Sequence, residues 1–416
     1  MTAPVDVKAA SDAFLARTET HLVGFLEACI HCGHCADACH FHQASGDPRH
    51  TPAYKLFPLA KAYRKTRFPL SLFAPAITES DLTEWEELLF DSCTMCGRCT
   101  TICPMGIDIA SIVGQARQAF VAAGLGPSDL LQAAQNSRDQ GSPLGLTPDK
   151  LRDRIEWLED EHEVEMPLDK TGAEVMLTVS SVETMKYPTS LAAMAKILDH
   201  AGVSWTFSSK GYEATNFGYL AGRGDIAKTM TMRLVEAAEE LGIKTLIIPE
   251  CGHAYGVLRW GGANMIGRAL PFEVRHITEY MADLKRAGRL KLTPLADSIT
   301  YHDPCQISRR GGAAEDARYL LDGFAEDFRE MTPTGNYNWC CGGGGGVQAI
   351  GRAADLRHKV FRMKIAQTEE TGAEVMVSSC SNCRLTMDES KAALNWQGKL
   401  GSLVEIIADH LEETGD

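Results

Sequence analysis

Hydrophobic and polar positions along this chain follow two rhythms, and the change falls near residue 170. Before it, apolar residues recur at helical spacing, most clearly in a helix predicted from about Asp108 to Ala123, with short loops between helices. After Lys170 come β-branched apolar runs separated by helical segments. Strands are expected at about Val175 to Val179, Val203 to Phe207, Thr245 to Pro249, Ser298 to His302 and Glu374 to Val377. The predicted class is therefore an α+β multidomain chain: a helical N-terminal domain over 1–135, a linker over 136–170, and α/β units over 171–290 and 291–416. The linker carries Gly141, Pro143, Gly145 and Pro148, then an acidic helix-like stretch from Glu156 to Glu165 that reads as a solvated boundary. The last two units look duplicated. Setting Cys251 on Cys380 aligns Arg223 with Arg352, Tyr212 with Cys341 and Gly211 with Cys340 without a gap.

Composition narrows the class. At 416 residues and 44% hydrophobic, the chain buries a substantial core, and no apolar run is long enough to span a bilayer. A net charge of -14 argues against nucleic acid as a partner. The one basic stretch, Lys61, Arg64, Lys65 and Arg67 with Tyr63 and Phe68, reads more simply as a solvated helix face than as a dock for an acidic or membrane-bound partner.

Eight of the fourteen cysteines fall in two runs, Cys29, Cys32, Cys35, Cys39 and Cys93, Cys96, Cys99, Cys103, each spaced C-x2-C-x2-C-x3-C. This is the bacterial two-cluster ferredoxin pattern, in which the fourth cysteine of each run serves the other cluster. Two cubane [4Fe-4S] clusters are expected, one on Cys29, Cys32, Cys35 and Cys103, the other on Cys93, Cys96, Cys99 and Cys39. The first run ends Cys39-His40 where proline is usual, which alters the turn and removes no ligand. Zinc and disulfides fit less well. Zinc favours pairs separated by a longer loop, and no secretory segment is visible to place the thiols in an oxidising compartment. The insertion of about fifty residues between the runs contains Ser45-Gly46-Asp47-Pro48 and Thr51-Pro52, which stop regular structure.

A second constellation follows: Cys305, the pair Cys340 and Cys341 ahead of Gly342 to Gly346, and Cys380-x-x-Cys383. In a doubly wound sheet, loops at the carboxyl ends of strands gather in one crevice, so these five are expected to converge. Vicinal thiolates suit an irregular cluster, and glycines allow close backbone approach. The glycine run lacks G-x-G-x-x-G and Gly-Lys-Ser/Thr, so it is not read as a dinucleotide or phosphate loop.

Cys305, Cys340-Cys341-Gly342 and Cys380-x-x-Cys383 resemble the cysteine-rich CCG domain of heterodisulfide reductases. A ferredoxin-like unit followed by a duplicated CCG module resembles their D-type subunit. That resemblance implies one noncubane [4Fe-4S] cluster on Cys305, Cys340, Cys341, Cys380 and Cys383. The first copy departs from the pattern, with Tyr212-Glu213-Ala214-Thr215-Asn216-Phe217-Gly218 and Cys251-Gly252-His253-Ala254 in place of the ligands, so no second such cluster is expected. Together with Cys39-His40-Phe41 and Glu250-Cys251, this degeneracy resembles the catalytic iron-sulfur subunits of membrane-linked sulfur-metabolism complexes, the DsrK, TmcB and HmcF type.

The resemblance implies electron exchange between a quinone-linked membrane partner, such as a cytochrome b-type subunit, and a small cysteine-bearing sulfur carrier. It also implies a cytoplasmic chain, peripheral on the inner face of the cytoplasmic membrane. Splitting an S–S bond takes two electrons and yields two thiolate sulfurs, of which one would bind the cluster and the other would take a proton. Glu250 and His253 are candidates for that proton, and Cys251 for contact with substrate sulfur; the competing expectation makes Glu250 a helix cap and His253 a satisfied imidazole. Tyr212 and Asn216 are read either as lining the crevice or as packing. The rival functions are an electron relay from a flavin-dependent dehydrogenase, of the glycolate or glycerol-3-phosphate type, and a cluster-stabilised scaffold.

Overall fold

Asp108 starts the helix that closes the cysteine-bearing region: its side chain accepts a hydrogen bond from the Ser111 N–H at 3.1 Å, and the helix runs over Ile109–Ala122. Its apolar stripe buries Ile112, Val113, Ala116 and Phe120. Phe120 packs edge-on against Phe14 and Phe90, and Phe14 against Trp85, so four rings join three helices and the π-helical turn Glu87–Asp91. Gly46, at φ 68°, ends the helix His40–Ser45, and Asp47 accepts from the Arg49 N–H to begin the next turn. The insertion is thus short helices joined by turn chemistry. In the basic stretch, Lys61 is paired with Asp81 at 2.6 Å and Arg67 with Glu27 at 2.5 Å, which neutralises half of it; Phe68 lies outside the described residues.

The computed structural model describes residues 6–18, 20–67 and 69–413. Two compact units divide the chain, and both are discontinuous in sequence. The first comprises the segment ending at Gln132 together with Tyr219–Gly224 and Trp339–Met363; the second comprises Ala133–Gly218, Asp225–Asn338 and the segment from Lys364.

The second unit holds two four-stranded parallel sheets: β1 (Val175–Leu177), β2 (Trp205–Thr206), β3 (Thr245–Ile248) and β4 (Glu273–His276) in order 2-1-3-4, then β5 (Leu295–His302), β6 (Ala325–Phe328), β7 (Val375–Ser378) and β8 (Lys399–Ser402) in order 6-5-7-8. Strand alternation sorts their side chains. Val175, Leu177 and Ile247 enter a core shared with Ile299, Tyr301 and Val377 of the other sheet, whereas Met176, Leu246 and Ile248 face a separate core with Leu234 and Val274. Helix Pro148–His162, started by Thr147 with proline at its first position, adds Leu151, Ile155 and Leu158 to the shared core and leaves its acidic residues outside. The two sheets have equivalent strand orders, and the helices Gly224–Leu241 and Ala354–Thr371 that precede β3 and β7 are 18 residues each. No described helix is long and apolar enough to cross a membrane.

Candidate iron-sulfur centres

The two cysteine runs adopt one backbone plan. His31 and Met95, two residues past the first cysteine of each run, take left-handed φ values of 54° and 52°, and Gly33 and Gly97 follow at 83° and 75°. Two left-handed residues in each C-x-x-C-G-x-C segment curl the chain so that successive thiols face inward. Short helices His34–Asp37 and Arg98–Ile102 come next, and Cys39 and Cys103 are extended, which carries each fourth thiol away from its own run.

Two cavities in the first unit sort the eight thiols. One is lined by Cys29, Cys32, Cys35 and Cys103, the other by Cys39, Cys93, Cys96 and Cys99. The first, outer set has exposed Cys32 beside exposed Ile30 and Met105; the second, inner set includes buried Cys39 and Cys96. Burial, followed by repulsion from Cys96, Cys39 and Cys93, pushes the Cys99 thiol up, and Cys35 is raised by burial and by Cys29, Cys32 and Cys103. Four thiols lining one small cavity are the donor set of an iron-sulfur cage, in which thiolates are held together by the iron among them. Both sets therefore fit a [4Fe-4S] group.

His40, the departure from proline, is buried against the inner set: its ring tilts onto Phe41, its Nε2 stands 3.5 Å from the Thr94 hydroxyl, and it hydrogen-bonds Cys96. Lys55, a residue the sequence did not single out, lines the same cavity and donates to the Ser92 carbonyl. Both are invisible in spacing because their role arises from the insertion folding back.

Cys340 and Cys341 are buried in the first unit. The Cys340 Sγ donates to the Thr94 hydroxyl at 3.5 Å, and Cys340 also hydrogen-bonds the inner-set Cys96, the first cause that raises the Cys96 thiol. Gly345 explains part of the glycine run. At φ +64°, a Cβ there would lie 2.8 Å from the Thr94 backbone. Fully buried Arg117 fastens the two loops together, donating to the Gly345 carbonyl at 2.5 Å and the Cys93 carbonyl at 2.8 Å, while Arg98 stacks 3.4 Å from the Trp339 ring centroid. Burial holds Arg117 below the ordinary guanidinium range, to about 10.

In the second unit, Cys305 follows the carboxyl end of β5 and Cys380 that of neighbouring β7; Cys383 lies on the first turn of helix Ser381–Leu394. A hydrogen bond from Cys383 lowers the Cys380 thiol against the opposing effect of burial. His302, at the end of β5, was not anticipated: a ring nitrogen lies within 4.8 Å of the Cys383 Sγ, its Nε2 has no partner, and burial holds the ring neutral.

The positions that the sequence register sets against the second constellation are occupied by packed polar residues. Tyr212 donates to the Leu146 carbonyl at 2.6 Å, and Asn216 donates to the Ala227 carbonyl at 2.9 Å, both packing roles. Glu213 accepts from the Ser181 N–H and hydroxyl and the Thr215 N–H, yet burial raises it to about 7. Glu250 accepts from the Ser402 hydroxyl at 2.8 Å and the Val404 N–H at 3.4 Å, capping helix Leu403–Ala408, and burial raises it too to about 7. Cys251 is buried beside the Thr215 hydroxyl at 3.5 Å, with its thiol pushed up by burial. His253 is half-buried on helix Gly252–Gly256.

Comparison with known proteins agrees with this chemistry. A 4Fe-4S dicluster domain matches residues 25–107, and a cysteine-rich domain matches residues 299–388. The class is an iron-sulfur electron-transfer oxidoreductase. More narrowly, the chain is similar to the D-type subunit of heterodisulfide reductases: it is 28% identical to that of the dihydromethanophenazine:CoB–CoM heterodisulfide reductase of Methanosarcina barkeri, over 93% of this chain and 94% of that one. It is also 26% identical to an Hdr-like menaquinol oxidoreductase iron-sulfur subunit of Archaeoglobus profundus, covering 86% and 74%, and 28% identical to the EtfAB:quinone oxidoreductase of Syntrophomonas wolfei, covering 88% and 56%.

Proposed function

We propose that the chain is the iron-sulfur subunit of a membrane-linked complex that exchanges electrons with a thiol/disulfide, persulfide or trisulfide carrier. The observation that carries this reading is Cys340, a cysteine of the second constellation, hydrogen-bonded to Thr94 and to the inner-set Cys96. In this reading the outer and inner sets each hold a cubane [4Fe-4S] cluster, and Cys305, Cys340, Cys341, Cys380 and Cys383 hold a noncubane one. Such clusters supply single-electron transfer and an iron that binds sulfur. The chain's own residues do the rest. Exposed Cys32 and Ile30 present the outer set to a redox partner of cytochrome b or similar type. Arg117 and Gly345 hold the Cys340 loop against the inner set. Glu250 serves as a cap, since both of its oxygens are engaged, which leaves His253 and Cys251 to face the substrate's second sulfur.

The equivalent strand orders support an origin of the regions 171–290 and 291–416 by duplication. The first copy then lost its cluster to Tyr212, Glu213 and their hydrogen bonds.

The test is anaerobic reduction of a dithiol carrier's disulfide by the intact chain with a reduced viologen dye, followed by thiol release. Wild type should turn over, and Cys340→Ser should lose at least tenfold. Equal rates would overturn the reading. The likeness to the EtfAB:quinone oxidoreductase favours a second reading, a relay serving a flavoprotein. It predicts reduction by a flavoprotein's substrate and no disulfide turnover.

A further inference from the structure

Of the described residues lining the inner cavity, Lys55 alone carries a fixed charge. It is 2% exposed, its ammonium donates to the Ser92 carbonyl, and it stands 5.6 Å from the Phe41 ring centroid, with no carboxylate among its partners. An ammonium buried with only a carbonyl and an aromatic face is costly unless an anion stands nearby. The anions the cavity offers are thiolates. Lys55 lines the same cavity as Cys39, Cys93, Cys96 and Cys99, and its positive charge offsets part of the rise that burial imposes on the Cys39 and Cys99 thiols. The outer cavity provides a built-in contrast, because its described lining of Ile30, His31, Met105 and neighbouring apolar residues contains no lysine or arginine. Arg117 is the other buried cation near Cys93, but it is spread over the Leu89, Cys93, Leu220 and Gly345 carbonyls and holds the loops in place.

We propose that Lys55 is the counter-charge of a cluster held by Cys39, Cys93, Cys96 and Cys99, and that it raises the reduction potential of that cluster. The inference rests on the ligand assignment above. Reduction adds one electron and no proton to an already anionic four-thiolate cage, and Lys55 neither gives nor takes anything. A fixed cation in the wall favours the more negative, reduced form, so electrons arriving at the outer set are drawn inward toward Cys340. Lys55 is a positioning charge, not a catalytic residue.

The test is an EPR-monitored redox titration of the intact, cluster-loaded chain as wild type, Lys55→Met and Lys55→Arg, with the outer-set signal assigned through Cys32→Ser. In Lys55→Met the reduced-to-oxidised ratio of the inner cluster should fall at least tenfold at the wild-type midpoint, which is about 59 mV for a one-electron couple. The outer cluster should not move, and Lys55→Arg should stay within threefold. An inner midpoint unchanged in Lys55→Met, or both clusters shifting together, would overturn the proposal. If Lys55→Met loses inner-cluster iron, Lys55→Gln is titrated by the same criteria. Iron lost in both neutral variants and kept in Lys55→Arg supports the counter-charge; iron lost in all three overturns it. Wild-type protein without a cluster on these thiols would instead overturn the ligand assignment, and the counter-charge with it.

Discussion

Glu213 is a buried carboxyl wrapped in donors, at the position that the sequence register pairs with Gly342. Its ordinary value is 4.5, and in the folded chain it is raised to about 7. The folded state therefore holds a proton that the unfolded chain has released between those values, so this contribution is complete below about 4.5 and is lost as pH rises through 7. Urea denaturation of the loaded protein should show stability falling by about 1 kcal/mol per such group from pH 6 to pH 8. Glu213→Gln should reduce that slope while Glu250, also near 7, keeps the remainder. An unchanged slope would mean that Glu213 is ionised in the fold. The eight ferredoxin-type cysteines were legible because three thiols two residues apart have few other uses. His40, Lys55 and His302 were not, because a lone histidine or lysine acquires meaning only when distant segments fold around one cavity.

At the scale of elements, the buried strands β1, β3, β5 and β7 announce themselves as apolar runs, and the residues predicted for them match closely. The edge strands β4, β6 and β8 were missed. Glu273–His276, Ala325–Phe328 and Lys399–Ser402 are four-residue, half-polar segments that become strands only because a parallel neighbour offers its backbone groups. The glycine run was legible as close approach but not as to what approaches. It is the Thr94 backbone, and the consequence is measurable: Gly345→Ala should destabilise the protein by about 2–3 kcal/mol, since the residue is left-handed and its Cβ would collide with backbone. Thermal unfolding of the loaded protein should fall accordingly, whereas Gly351→Ala, whose nearest neighbour is 3.9 Å away, should change little.

For the whole molecule, the chief surprise is the discontinuity of the two units. Read along the sequence, Cys340 and Cys341 belong to the last α/β repeat; in the fold, Trp339–Met363 joins the helical unit, and the pair meets the ferredoxin-type cysteines. No sequence pattern could have given this, because it depends on Arg117, 228 residues from Gly345 in sequence, drawing the two loops together. The order it gives the chain is an outer set that includes exposed Cys32, an inner set that includes buried Cys39 and Cys96 with Lys55 in its wall, and then Cys340 and Cys341. The most direct test of that order and of the sulfur chemistry at its end is EPR of the oxidised, loaded protein after addition of a dithiol carrier. A new S = 1/2 signal is expected, abolished or altered in Cys340→Ser and Cys341→Ser. No thiol-dependent signal, or one unchanged in both variants, would contradict that chemistry.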